Sequence, residues 1–256
     1  MSEGDSMIAG LCAALEERLV PAAAGWLEGA LRATAADPDA VHDVFPAVAR
    51  HCGRGPLDAA PADDPDGVSA DWSVADAARV LLLTVLPADR PPLADRLTRL
   101  YREGGTAERL AVLRGLSVLD DLDATLGDSA TGLLHEALRS HDPRLVRAAL
   151  GPYAVRHLDA PAYRQAILKC VHMGLPAPPA PHRTDDELAR MLADHVHERV
   201  AAGRVVPDEI WPVLARFPDA VAASGLGRAA DHPDEARRTA ARRALDRLAR
   251  TRATTL

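Results

Sequence analysis

The sequence predicts an all-α protein, a stack of short antiparallel helices. Hydrophobic residues make up 48% of the 256-residue chain and aromatics only 3%. The dominant aliphatic side chains suit helices, whereas strands select aromatic and β-branched residues. Apolar residues also recur near a 3.6-residue period in segments of one helix length, and no stretch alternates at period two for long enough to compete. Frequent punctuation by proline, glycine and aspartate keeps those segments short and closely spaced.

In chain order, Asp37-Pro38 marks a helix start, with a side-chain acceptor before a proline at the first helical position. Residues 53–71 are rich in Gly, Pro and Asp and read as a mobile loop. Ser73-Val-Ala-Asp76 resembles a capping box opening a helix whose apolar face is Val74, Ala78, Leu81 and Val85. Leu93, Leu97 and Leu100 define the next helix, and Leu110, Leu113 and Leu116 another. Asp142-Pro143 repeats the acceptor-proline start. A helix from about Ala162 to Met173 follows, then a proline-rich linker over 174–181, expected to be stiff and able to separate two lobes. Thr184-Asp-Asp-Glu187 resembles a second capping box before Leu188, Leu192 and Val196. The segment from Pro233 to Arg250 closes the chain with six arginines against Asp234, Glu235 and Asp246, and reads as a solvated terminal helix.

Connections of mostly two to six residues make successive helices antiparallel neighbours. Two architectures fit one helical domain over 1–256: a HEAT-like α-solenoid or a compact helical bundle.

A formal charge of -7 and a pI near 5.8 give no global basic field, which argues against nucleic acid as a partner. The strongest apolar run, Val80 to Leu86, is far shorter than the roughly 20 residues that cross a bilayer, so no membrane span is expected. Cys12, Cys52 and Cys170 are widely spaced in apolar contexts and read as core thiols of a cytoplasmic protein. The acidic N-terminus lacks the basic and apolar segments of a secretory signal.

The chain's basic residues are arginine except for Lys169, its only side-chain amide is Gln165, and the two are four residues apart. A helix puts them on one face, with His172, opposite an apolar stripe of Tyr163, Ile167, Cys170 and Val171. The face reads either as an anion- or carbonyl-binding surface, with Lys169 as point charge or amine nucleophile, or as a solvated face near a helix C-terminus. In His195-Val-His-Glu-Arg199, helical geometry places His195 and Arg199 within the stripe centred on Leu188, Glu198 at its edge and His197 on the opposite side. An H-x-H pair on a helix cannot chelate one metal, and no metal site or cofactor is expected. Arg199 needs an acceptor, supplied by a ligand or by a structural Arg-Glu network. No P-loop, nucleophile elbow or dinucleotide-binding fingerprint occurs, and Asp120-Asp121-Leu-Asp123 only superficially resembles a diphosphate-binding acidic motif.

Several residues together resemble the EboA family. They are Pro152-Tyr153, Tyr163-Arg-Gln-Ala-Ile-Leu-Lys169 through Gly174, Glu187-Leu-Ala-Arg-Met-Leu192, His197-Glu-Arg-Val-Ala-Ala-Gly-Arg204, Pro207 and Trp211. Weaker similarity runs from Phe45 to Pro56 and from Trp72 to Pro87. The chain keeps the family's residues at Gln165, Lys169, His197, Glu198, Arg199 and Arg204. It departs at Gly151, where the family has asparagine, at Tyr163-Arg164 for Trp-Asn, at His195 for tyrosine and at Val200 for tryptophan. The resemblance implies an accessory protein of a bacterial gene cluster that handles or exports secondary-metabolite precursors. The expected function is therefore binding or scaffolding, with pathway proteins or a small-molecule intermediate as partners and the six retained residues as candidate contacts. The alternative is an enzyme acting on a phosphorylated or prenylated small molecule, with Lys169 and Arg199 neutralising phosphate and Glu198 or a histidine moving protons.

Overall fold

A computed structural model describes residues 3–57, 71–87, 92–122, 126–176, 180–204 and 206–255. Among the described residues lie fifteen α-helices and two short 3-10 turns, and the extended pairing is one antiparallel bridge, Pro56 to Ser73. The all-α class holds. The chain divides into two compact units, Met1–Leu158 and Asp159–Leu256.

The first unit contains α1 (Glu3–Arg18), α2 (Pro21–Ala36), α3 (Val41–His51), α4 (Val74–Thr84), α5 (Leu93–Glu103), α6 (Thr106–Leu122), α7 (Thr131–Arg139), α8 (Pro143–Ala148) and α9 (Pro152–His157). Its centre is the α4–α6 pair: α1, α2 and α3 pack on α4, while α1, α5, α8 and α9 pack on α6. Every residue from Val74 to Leu83 is buried, so α4 is apolar almost all round, as a helix enclosed on all sides must be. The two helices approach closely at Gly115, where an added Cβ would sit 2.8 Å from Leu83 Cδ1. Besides the capping Asp76, the charged residue of α4 in this interior is Arg79. Its Nε donates to the Phe45 carbonyl at 3.0 Å and its Nη2 to Glu108 at 2.6 Å, which satisfies a charge that would otherwise be too costly to bury.

Two of the expected helix starts hold as read and two are altered. Ser73 and Asp76 form the full capping box of α4, and Asp142 caps α8 through the Arg144 N–H at 2.9 Å. Asp37 caps a 3-10 turn, Pro38–Ala40, that leads into α3. At the last of these starts the cap is Asp185, one residue after Thr184: its Oδ1 accepts from the Leu188 N–H, while the Thr184 hydroxyl turns back to donate to the Ala180 carbonyl. Of the loop expected at 53–71, residues 58–70 lie outside the described residues. Its ends are tied together, since Leu57 N–H donates to Trp72 O and Val74 N–H to Gly55 O, both at 2.9 Å.

The second unit contains α10 (Ala160–Met173), α11 (Asp186–Ala201), α12 (Ile210–Arg216), α13 (Pro218–Ala223), α14 (Leu226–Ala229) and α15 (Glu235–Thr255). Here α11 is the hub, packed by α10, α12, α13, α14 and α15, and α15 also lies along α12 and α14. The proline-rich stretch joins α10 to α11 within this unit, and its residues 177–179 lie outside the described residues.

Candidate functional site

Burial follows the expected division of α10. Tyr163, Ile167, Cys170 and Val171 are buried, Gln165 and His172 are exposed, and Lys169 is half-buried between them. Burial pushes the Cys170 thiol up to about 11, opposed by the neighbouring Lys169 charge, so this cysteine stays an un-ionised core group. The apolar side is filled. The cavity bounded by Ile167, Val171, Leu192 and Ile210 measures ≈ 10 Å³, about enough for one water molecule.

Along α11, His195 is 5% exposed, His197 and Arg199 are half-buried, and Glu198 and Arg204 are exposed. The structure brings α10's polar face and this segment together through two histidines. The His172 and His195 rings lie 4.3 Å apart at 57°. His172 Nδ1 donates to its own helix at the Leu168 carbonyl, 2.9 Å away. Among the described residues, neither ring nitrogen of His195 has a hydrogen-bond partner, nor does His197 Nδ1. Desolvation, then the charges of His172 and Arg199, hold the His195 pKa below the usual histidine range, with Glu198 opposing them. The ring is therefore neutral at neutral pH. A neutral imidazole must carry one N–H, and here that donor is buried unpaired, at a typical cost of about 1–3 kcal/mol.

Both polar segments end in the same backbone motif. After α10, Leu175 N–H reaches Cys170 O and Gly174, at φ +69°, bonds Val171 O. After α11, Arg204 N–H reaches Arg199 O at 2.8 Å and Gly203, at φ +65°, bonds Val200 O. These are Schellman closures, for which glycine supplies the left-handed residue. Gly203 of the retained Ala-Ala-Gly-Arg run is thus explained by helix termination, and the Arg204 backbone by the same closure.

The departures at positions 163 and 164 anchor the connection between the two helices. The Tyr163 hydroxyl accepts from the Ala180 N–H at 2.9 Å, and Arg183 lies 4.6 Å over the Tyr163 ring. Arg164 makes a two-pronged pair with Asp185, the residue that caps α11. That guanidinium, followed by the Leu188 backbone N–H, holds the Asp185 carboxyl below the usual range.

A second polar cluster, in the first unit, escaped sequence reasoning. Asp120 accepts from His157 Nε2 and Arg156 Nε, both at 2.8 Å, and Arg156 reaches Asp121 at 2.9 Å. Tyr153 packs its ring at a tilt against His157 and clasps the turn before α7, donating to Gly127 O at 2.6 Å and accepting from Ala130 N–H. Burial pushes its phenol up to about 12, so it does not serve as a base. These residues satisfy one another, and the cluster reads as an internal fastening of α6, α7 and α9. Asp120 and Asp121 of the run that superficially resembles a diphosphate-binding motif are engaged here, and Asp123 lies outside the described residues. No group of three or more metal-ligating side chains converges among the described residues.

The family model described as "Metabolite traffic protein EboA" matches residues 7–215. The chain belongs to the EboA family. The match takes in both polar clusters and ends within α12, so α13, α14 and α15 lie beyond the EboA region. No curated protein and no solved structure matches the chain. Among the described residues, no helix is long and apolar enough to cross a membrane.

Proposed function

We propose that this EboA-family protein is a non-catalytic accessory protein that binds a small secondary-metabolite precursor and presents it to other proteins of its pathway. The observation that carries the reading is His195, a buried ring whose two nitrogens have no partner among the described residues, where the polar end of α10 meets α11. A ligand carbonyl or anion accepting its N–H would remove that cost. Lys169, His172, Arg199 and Gln165 add donors on the same two helices and Glu198 a single carboxylate, a balance that favours an anionic or carbonyl-bearing metabolite. The family description as a metabolite traffic protein supports binding over turnover.

Native mass spectrometry of the protein purified from its own host tests this. The wild type retains a small-molecule adduct that His195→Phe and Lys169→Met lose while their helical circular dichroism is unchanged. An adduct retained equally by both variants, or turnover of a pathway intermediate abolished by Glu198→Gln, would overturn it.

A further inference from the structure

We propose that the groove between α13, α14 and α15 is a second binding site, for a single-chain amphiphile with an anionic head. The site lies outside the EboA region and is independent of the reading above. The groove is open to solvent, offers ≈ 220 Å³ and is walled by Val221 of α13, Gly227 of α14, and Leu245, Leu248 and Ala249 of α15. That is roughly twenty times the one-water cavity beside α10, room for a short aliphatic chain. It is less than the 300 Å³ or more usual for drug-sized ligands, so it fits one chain rather than a fused ring system.

The polar end of the groove is Arg252, which follows Leu245, Leu248 and Ala249 on one face of α15 at helical spacing. Its Nε is buried and has no hydrogen-bond partner among the described residues. A guanidinium N–H withdrawn from water without an acceptor is costly, and a bound carboxylate or phosphate supplies the acceptor in the geometry a guanidinium prefers. The helix as a whole has the matching sign, with seven arginines on α15 against Glu235 and Asp246, although Arg242 and Arg247 are paired with Asp231 and Asp208. Apolar walls with a cation at one end thus select both halves of an amphiphilic anion.

Gly227 provides a clean way to close the site. Its added Cβ would meet nothing within 4 Å and it is not among the positive-φ glycines, so a larger side chain there fills the groove without disturbing the core.

Isothermal titration calorimetry on the full chain, with octyl phosphate and octanoate as probes below their micellar concentrations, tests the proposal. Both bind the wild type, and the tighter of the two identifies the preferred headgroup. Arg252→Gln weakens both about tenfold or more, and Gly227→Leu abolishes binding with the helical circular dichroism unchanged. Octyltrimethylammonium and inorganic phosphate bind far more weakly. Absence of binding to the wild type, unaltered binding by Gly227→Leu or Arg252→Gln, equal binding of the cationic chain, or equal binding of bare phosphate would each overturn it.

Discussion

At the scale of single residues, the second unit holds a histidine whose environment works against stability. His195 occupies a position on α11 that helical periodicity assigns to the core, and among the described residues neither of its nitrogens finds a hydrogen-bond partner there. Replacing it with phenylalanine keeps the volume and removes the orphaned polar atoms, so His195→Phe stabilises the ligand-free protein by about 1–2 kcal/mol in urea denaturation at neutral pH. The same residue sets a pH dependence. Its folded-state pKa lies below the ordinary value of about 6.5, so between the two the unfolded chain binds more protons than the folded one. Stability is therefore fully present above about pH 6.5, falls as the pH drops through that window, and levels off below the folded-state pKa. His172, Arg199 and Glu198 are the charged or titratable groups acting on it. A wild-type melting temperature that falls no more steeply than that of His195→Phe across this window would contradict the assignment.

At the scale of elements, helix ends and helix contacts follow different chemistry, and their legibility in the sequence differs accordingly. Ends are local. Ser73, Asp142 and Gly174 act within a few residues of themselves, so capping and termination can be read from adjacent letters. Gly203→Ala forces a left-handed conformation on a residue with a Cβ but creates no clash, and its cost should be about 1–2 kcal/mol from the backbone alone, read as a lowered urea midpoint. Contacts are not local. Arg79 looks like any arginine in the sequence, yet it sits inside α4, held by Phe45 and Glu108 from distant helices. Arg79→Met leaves the Glu108 carboxylate without its cation and costs about 3–5 kcal/mol, whereas Arg79→Met combined with Glu108→Leu recovers most of the loss. Equal destabilisation by the single and double variants would refute this role. The meeting of His172 with His195 and the fastening of Asp120 by Arg156 and His157 were hidden for the same reason: each joins residues on separate helices. The division of α10 into an apolar stripe and a polar face was legible because it depends only on the turn angle of one helix.

At the scale of the whole molecule, composition was sufficient for the class. Abundant aliphatics with few aromatics, cut into short segments by proline and aspartate, leave helices as the regular structure that can bury those side chains. The resemblance carried by separated motifs is borne out by the family match. Composition did not disclose a division at Leu158 and Asp159, because that boundary lacks the run of prolines and glycines that marks a linker in sequence. The central functional claim is that the α10–α11 seam holds a small metabolite through His195. It is tested most directly by the long-range 1H–15N spectrum of the imidazoles, recorded as the small-molecule fraction of the host's extract is added. The predicted result is a saturable shift of the His195 and His172 signals, with the His172 shift abolished in His195→Phe. His195 and His172 signals that stay fixed at every concentration, or a His172 shift that persists without His195, would contradict it.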